Sequence, residues 1–176
     1  KLFEASYDLT KRSKFKVFYE SNKKIIFLEL FFIFISIISI IFYLDKKDKK
    51  RIYIAENYIE AKIYIDNNNP TKAKEILKSI ALSKEDSYSA LSLFLILKED
   101  LIVDKKEITE MFDYILKNNK FEKEIRNLIV FKKALFQSNF VNESELIKTT
   151  NPLINTNTVW KPHAFLLLGD YFYFNK

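Results

Sequence analysis

Residues 25–44 read IIFLELFFIFISIISIIFYL. These twenty consecutive positions carry a single charge, Glu29. At about 1.5 Å rise per residue, a helix of that length spans about 30 Å, the hydrocarbon thickness of a bilayer. A helix in a water-soluble core normally keeps a polar stripe over such a length, and this segment has none. The expectation is a transmembrane helix. Glu29 lies about one turn inside the span, on the side of Lys23 and Lys24. Its carboxylate can lean toward that lysine pair at the interface and needs no buried partner. The run is too long for a cleaved secretory signal, and Phe42-Tyr43-Leu44-Asp45 offers no small-x-small cleavage site. The segment therefore reads as an uncleaved signal anchor. No later apolar run reaches this length without charges, so no second span is expected.

Positive charge brackets the span. Residues 1–24 carry seven Lys or Arg against three Asp or Glu, and residues 45–51 carry five against two. Residues 52–176 hold seventeen of each sign, so the net +6 of the chain belongs to the flanks. A nucleic-acid binder places its excess cations on the folded domain. Here they sit where anionic headgroups or the topology rule would use them. Nucleic acid is not an expected partner, and the membrane is. Six cationic residues on the N-terminal flank against five on the other do not choose an orientation. The expected organisation is a basic tail (1–24), the anchor (25–44), a basic juxtamembrane segment (45–51) and a helical domain (52–176).

Composition excludes several chemistries. The chain of 176 residues has no Cys, one His and one Gly. Disulfides and cysteine metal sites are ruled out. A glycine-rich phosphate loop cannot be written with one glycine. His163 has no nucleophile near it in sequence, so it reads as a residue at a helix start rather than a general base. Glu143 with Glu145, and Asp100 with Asp104, are spaced as helix caps and solvated faces. No catalytic residue, metal, cofactor or small-molecule substrate is expected, and the visible chain is not read as an enzyme. Lys, Ile, Asn and Phe dominate while Arg numbers three, the signature of AT-rich codons, so the seventeen Phe are not taken as binding aromatics.

Beyond residue 51 the apolar residues recur at helical spacing. Ile54, Tyr58, Ala61 and Ile65 define a first helix from about Arg51 to Asp66. Asn67-Asn68-Asn69-Pro70 stops it, with Asn69 as cap and Pro70 in the first position of a second helix to about Leu82. Ser83–Asp86 reads as a turn and cap before a third helix through Tyr88, Leu91, Leu95 and Ile96. That helix is apolar on more than one side and should lie between neighbours. Asp104 and Glu107 form a capping-box pattern before a fourth helix, which Asn118-Asn119 breaks. A fifth helix carries Ile125, Leu128, Ile129, Leu135 and Phe136, and Asn142 with Glu145 opens a short sixth. Thr149 to Pro162 is polar, holds two prolines and reads as a loop, in which Trp160 should anchor to the stack. A last helix runs from about Lys161 to Phe174. The expected fold class is all-α: one transmembrane helix, then helical hairpins that stack into a solenoid because none buries its apolar face alone.

The hairpins fit the tetratricopeptide pattern, a helix-turn-helix repeat of 34 residues. Ala61 and Tyr64, then Ala73, Leu77 and Ile80, fall in register in the first hairpin. Phe165, Leu168, Gly169 and Phe172 match the first-helix positions in the last helix, and Tyr88, Leu91, Ser92 and Leu95 fit more loosely. Small Ala61 and Ala73 would let two helices cross closely. In this register the concave groove is lined by first-helix residues, which makes Tyr58, Lys62, His163, Asp170 and Tyr173 the candidate peptide-binding positions.

The layout resembles a bacterial family of single-pass inner-membrane proteins with a tetratricopeptide-like domain, typified by the ancillary subunit of the SecYEG translocon. The resemblance covers nearly the whole chain. It rests on the basic tail and span up to Arg51, on Tyr88-Ser89-Ala90-Leu91-Ser92-Leu93, and on Trp160-Lys161-Pro162-His163-Ala164-Phe165-Leu166-Leu167-Leu168-Gly169-Asp170. It implies a cytoplasmic N-terminus, a periplasmic helical domain, and the translocon, periplasmic chaperones or client proteins as partners. The chain is poorer in Ala and Gly than the family. It opens on Lys1 rather than Met and stops at Lys176, where a first helix should turn into its partner, so further sequence is expected at both ends.

Overall fold

Among residues 14–174, which the computed structural model describes, every regular element is an α-helix. Helix α1 (Lys14–Asp66) is followed by α2 (Pro70–Ala81), α3 (Asp86–Lys98), α4 (Lys105–Asn118), α5 (Lys123–Gln137), α6 (Glu143–Ile154) and α7 (Lys161–Phe174). The all-α expectation holds, and it includes a long apolar N-terminal helix. Most of the basic tail, up to residue 13, lies outside the described residues. The chain divides into two units, Lys1–Lys50 and Arg51–Lys176.

In the first unit, every residue from Phe27 to Leu44 is exposed. Burying one such side chain is worth about 1.5–3 kcal/mol, so water around all of them costs on the order of tens of kcal/mol. This is a helix long and apolar enough to cross a membrane. A separate helix beginning near Arg51 was expected after the juxtamembrane segment, but α1 continues through it to Asp66. The stretch 45–51 contains no Gly or Pro to stop it, and Lys49 pairs with Asp45 one turn back.

In the second unit, the α1 residues from Arg51 onward bury Ile54 and Ala61. Ala61 packs with Leu77, Leu93, Ile96, Phe112, Ile115 and Ile129 in one cluster. Ala61 and Ala73 are both fully buried. Helix α5 joins this core to a smaller one: it gives Ile129 to the first and Ala134 to a second cluster with Leu146, Leu167 and Leu168. Consecutive helices pack in order from α2 to α7, and α5 also touches α7. As expected, α3 lies between α2 and α4, burying Ser89, Ala90, Ser92, Leu93 and Ile96.

The helix ends follow local chemistry. Asn69 Oδ1 accepts from the Lys72 N–H, Pro70 opens α2, and Asn142 Oδ1 accepts from the Glu145 N–H at 3.0 Å. The capping box at α4 forms only in half. Asp104 accepts from the Lys106 N–H at 2.8 Å, but Glu107 turns away from the cap and pairs with Lys78 of α2. The expected loop from Thr149 needs a larger correction, because α6 runs on to Ile154 with Pro152 inside it. Leu146 and Leu153, seven residues apart on one face, are both fully buried. Thr149 donates to Gln137 Oε1 at 2.8 Å and Thr150 to the Leu146 carbonyl at 3.0 Å. Pro152 lies in the final turn and costs that turn one intrahelical bond, the one its missing N–H would give to the Lys148 carbonyl.

Candidate binding crevice between α3 and α5

Two helix stripes face each other without closing. On α3, Ala90, Leu91, Phe94 and Leu97 form one stripe; on α5, Ile125, Leu128, Leu135 and Phe136 form the other. Between them lie two open recesses of about 480 Å³ and 500 Å³ that share Phe94 as a common wall. The first is bounded by the N-terminal ends of both helices, the second by their C-terminal ends, so α3 and α5 run parallel. Leu91, Ile125 and Leu135 remain exposed. The apolar character of α3 exceeds what α2 and α4 cover, and the surplus opens into this crevice.

The turn between α3 and α4 ends the first of these stripes. Asp100 adopts φ 49°, and the Leu101 N–H reaches back to the Ile96 carbonyl at 3.0 Å, which closes α3. Ile102 then tucks into the main core. At the other end the Asp86 carboxylate accepts from the Lys120 N–H at 2.8 Å and ties the start of α3 to the α4–α5 loop.

The rim is charged. Lys98 and Lys132 flank the C-terminal recess; Asp86, Lys120 and Glu122 flank the other. Lys98 donates to Glu99 at 2.9 Å, and that hydrogen bond raises its pKa, so it stays cationic. An apolar floor with cationic groups at one end suits a peptide segment with large apolar side chains and an acidic flank. Among the described residues, no three His, Asp or Glu side chains are grouped to hold a metal ion.

The sequence-derived groove residues fall at the two ends of the stack, and the structure does not bring the five together. Tyr58 packs its ring 5.6 Å from that of Tyr88 on α3 and belongs to the main core. Its pKa is raised, chiefly by burial and then by the neighbouring Tyr88. Lys62, one turn further along α1, is exposed. On α7, His163 and Asp170 are exposed and lie seven residues apart on one face. His163 presents an edge to Phe131 at 5.8 Å and neighbours Trp160 at 5.4 Å. Tyr173 points about 80° away around the helix. Trp160 anchors its loop as expected: its ring stacks on Phe131 at 5.6 Å and its Nε1–H donates to the Glu124 carbonyl at 3.1 Å. Sequence reasoning missed the crevice residues themselves. Their signal was the all-round apolar pattern of α3, which marked a helix with one face more than its neighbours in sequence could cover.

Compared with known protein families, with characterised proteins and with solved structures, the chain gives no match.

Proposed function

We propose that this chain is a membrane-tethered protein-interaction module, with a tetratricopeptide-like domain whose α3–α5 crevice takes an apolar segment of a protein partner. The observation that carries this is the pair of facing apolar stripes on α3 and α5, with two open recesses between them. Buried Ala61 and Ala73 where α1 and α2 meet the core favour a tetratricopeptide-like crossing. The span supplies the tether, which raises the domain's effective concentration for partners at the same membrane. By its layout we place the chain beside the ancillary translocon subunits of bacterial inner membranes. The N-terminus is then cytoplasmic and the domain periplasmic, and the partners are the translocon, periplasmic chaperones or their clients. No catalytic step is part of the proposal.

Two fusions after Lys176 test the placement. Alkaline phosphatase is active only outside the cytoplasm, and green fluorescent protein fluoresces inside it. Phosphatase activity without fluorescence is expected. Fluorescence without phosphatase activity sinks the translocon assignment and leaves a cytoplasm-facing scaffold. A photo-crosslinker at Leu91 or Leu135 should form adducts with translocon subunits or chaperones, and one at exposed Ile63 should not.

A further inference from the structure

Sixteen of the twenty residues in 25–44 are Ile, Leu or Phe; the exceptions are Glu29, Ser36, Ser39 and Tyr43. At about 100° per residue, these four fall within an arc of about 80° on one side of the helix. Glu29, Ser36 and Tyr43 are spaced by seven, and Asn22 and Lys50 continue the spacing beyond each end. Helix α1 is unbroken here, so Glu29 to Tyr43 form a line about 20 Å long. Phe32 and Ile40 share that side, so the line is sparser than the polar stripe of a water-exposed helix. The other sides present only Ile, Leu and Phe.

Glu29 decides what can lie against this line. Among the described residues it has neither an ion pair nor a hydrogen bond. Its neighbours one turn away are Ile25, Ile26, Phe32 and Ile33, all apolar. Lys23 and Lys24 lie about 120° and 140° around the helix from it, so a carboxylate that leans outward nears water without meeting a lysine. At membrane depth such a group pairs with a cation on a neighbouring helix, and serine hydroxyls bond across the same contact.

We propose that the Glu29–Tyr43 line is a docking face for the transmembrane helix of a second, different protein, one that carries Lys or Arg at the depth of Glu29. The proposal rests on the reading of 25–44 as a span. A second copy of this chain fits poorly. Identical anchors insert in the same direction, so paired copies would set Glu29 against Glu29 at one depth, two carboxylates in a medium that screens them little. A seven-residue spacing drifts only about 20° per repeat, so a partner helix crossing at about 20° follows the line along its length.

Two synthetic single-span peptides serve as probes. Both are leucine–alanine helices with serines on one side; one has Lys one turn inside its span, and the other has Leu there. The chain has no Cys, so Asp48→Cys gives a single labelling site just outside the span. The labelled whole chain and a labelled probe are reconstituted in phosphatidylcholine vesicles, the vesicles are floated, and energy transfer is read. The Lys probe should associate at least about tenfold more tightly than the Leu probe. Glu29→Gln should remove that preference, and Glu29→Lys should pass it to a probe with Glu in place of Lys. Ser36→Leu with Ser39→Leu should weaken the Lys probe about threefold. Phe34→Leu with Ile38→Leu, on the opposite side, should leave it unchanged.

Equal association of the Lys and Leu probes overturns the proposal, as does a preference that survives Glu29→Gln. An equal loss from the Phe34 and Ile38 changes puts the contact on another face and overturns it too. Transfer between two labelled copies that exceeds transfer to the Lys probe also overturns it, and makes a second copy the occupant. A chain that fails to float with the vesicles overturns the span itself, and flotation is read before any transfer.

Discussion

Two stretches of α1 share one backbone geometry and have opposite surfaces. From Phe27 to Leu44 every side chain is exposed, and nearly all of them are apolar. From Arg51 to Asp66 apolar and charged residues alternate at helical spacing, and one face, with Ile54 and Ala61, is buried. Hydrogen bonding does not separate them. What differs is the surface each presents: the first is apolar on nearly all sides and long enough to cross a membrane, while the second has a packed neighbour on one side and water on the other.

The strongest way to break the comparison is to give the span a polar core. Phe34→Arg with Ile37→Arg places two charges near its middle, at about 2.5–3.5 kcal/mol each on insertion scales. Membrane fractionation should show most of the chain lost from the membrane. The same pair at exposed Ile59 and Ile63, in the second stretch, should leave it membrane-bound.

Within the second unit, packing against neighbouring helices covers the apolar face. Phe112 is fully buried at its centre, so Phe112→Ala should cost about 3–5 kcal/mol in chemical denaturation. Ala61 is fully buried in that core, and Ala61→Leu should cost about 1–3 kcal/mol by overpacking. An equal increase in size at exposed Ile37 of the span, Ile37→Phe, should leave unfolding of this unit unchanged.

Smaller effects sharpen the picture of the second unit. The raised pKa of Tyr58 means that the fold holds the phenol proton more tightly than the unfolded chain does. The associated stability is present below the ordinary phenol value of 10.0 and is lost as pH rises through the higher folded value. Thermal unfolding between pH 8 and 11 should therefore fall less steeply for Tyr58→Phe than for the parent. Lys84 adopts φ 61° in the α2–α3 turn, a left-handed conformation that costs a non-glycine residue about 1 kcal/mol. Lys84→Gly should raise stability by somewhat less than that, about 0.5 kcal/mol, because glycine also gains entropy in the unfolded chain.

The span, the helices and most caps were legible because each depends on residues close in sequence: an uncharged run, a period of three to four, Asn69 before Pro70. The end of α6 was not, because Pro152 and the threonines argue locally for a loop. The burial of Leu153 and the Thr149–Gln137 hydrogen bond are tertiary. Glu107 left its capping role for the same reason, drawn to Lys78 from another helix. The crevice depends on which faces of α3 and α5 fail to meet across thirty-odd residues of chain, and periodicity records a face without recording its partner. The repeat register pointed to α1 and α7, the ends of the stack; the open apolar surface lies in the middle, where the pattern is least regular.

Alkaline carbonate extraction of membranes, applied to the chain with and without residues 25–44, tests the central division most directly. The account predicts that the whole chain stays with the membrane pellet, while the chain lacking 25–44 is released as a soluble helical protein with a cooperative unfolding transition. Release of the whole chain by carbonate, or aggregation of the shortened one, would contradict it: the apolar segment would then belong to a protein core.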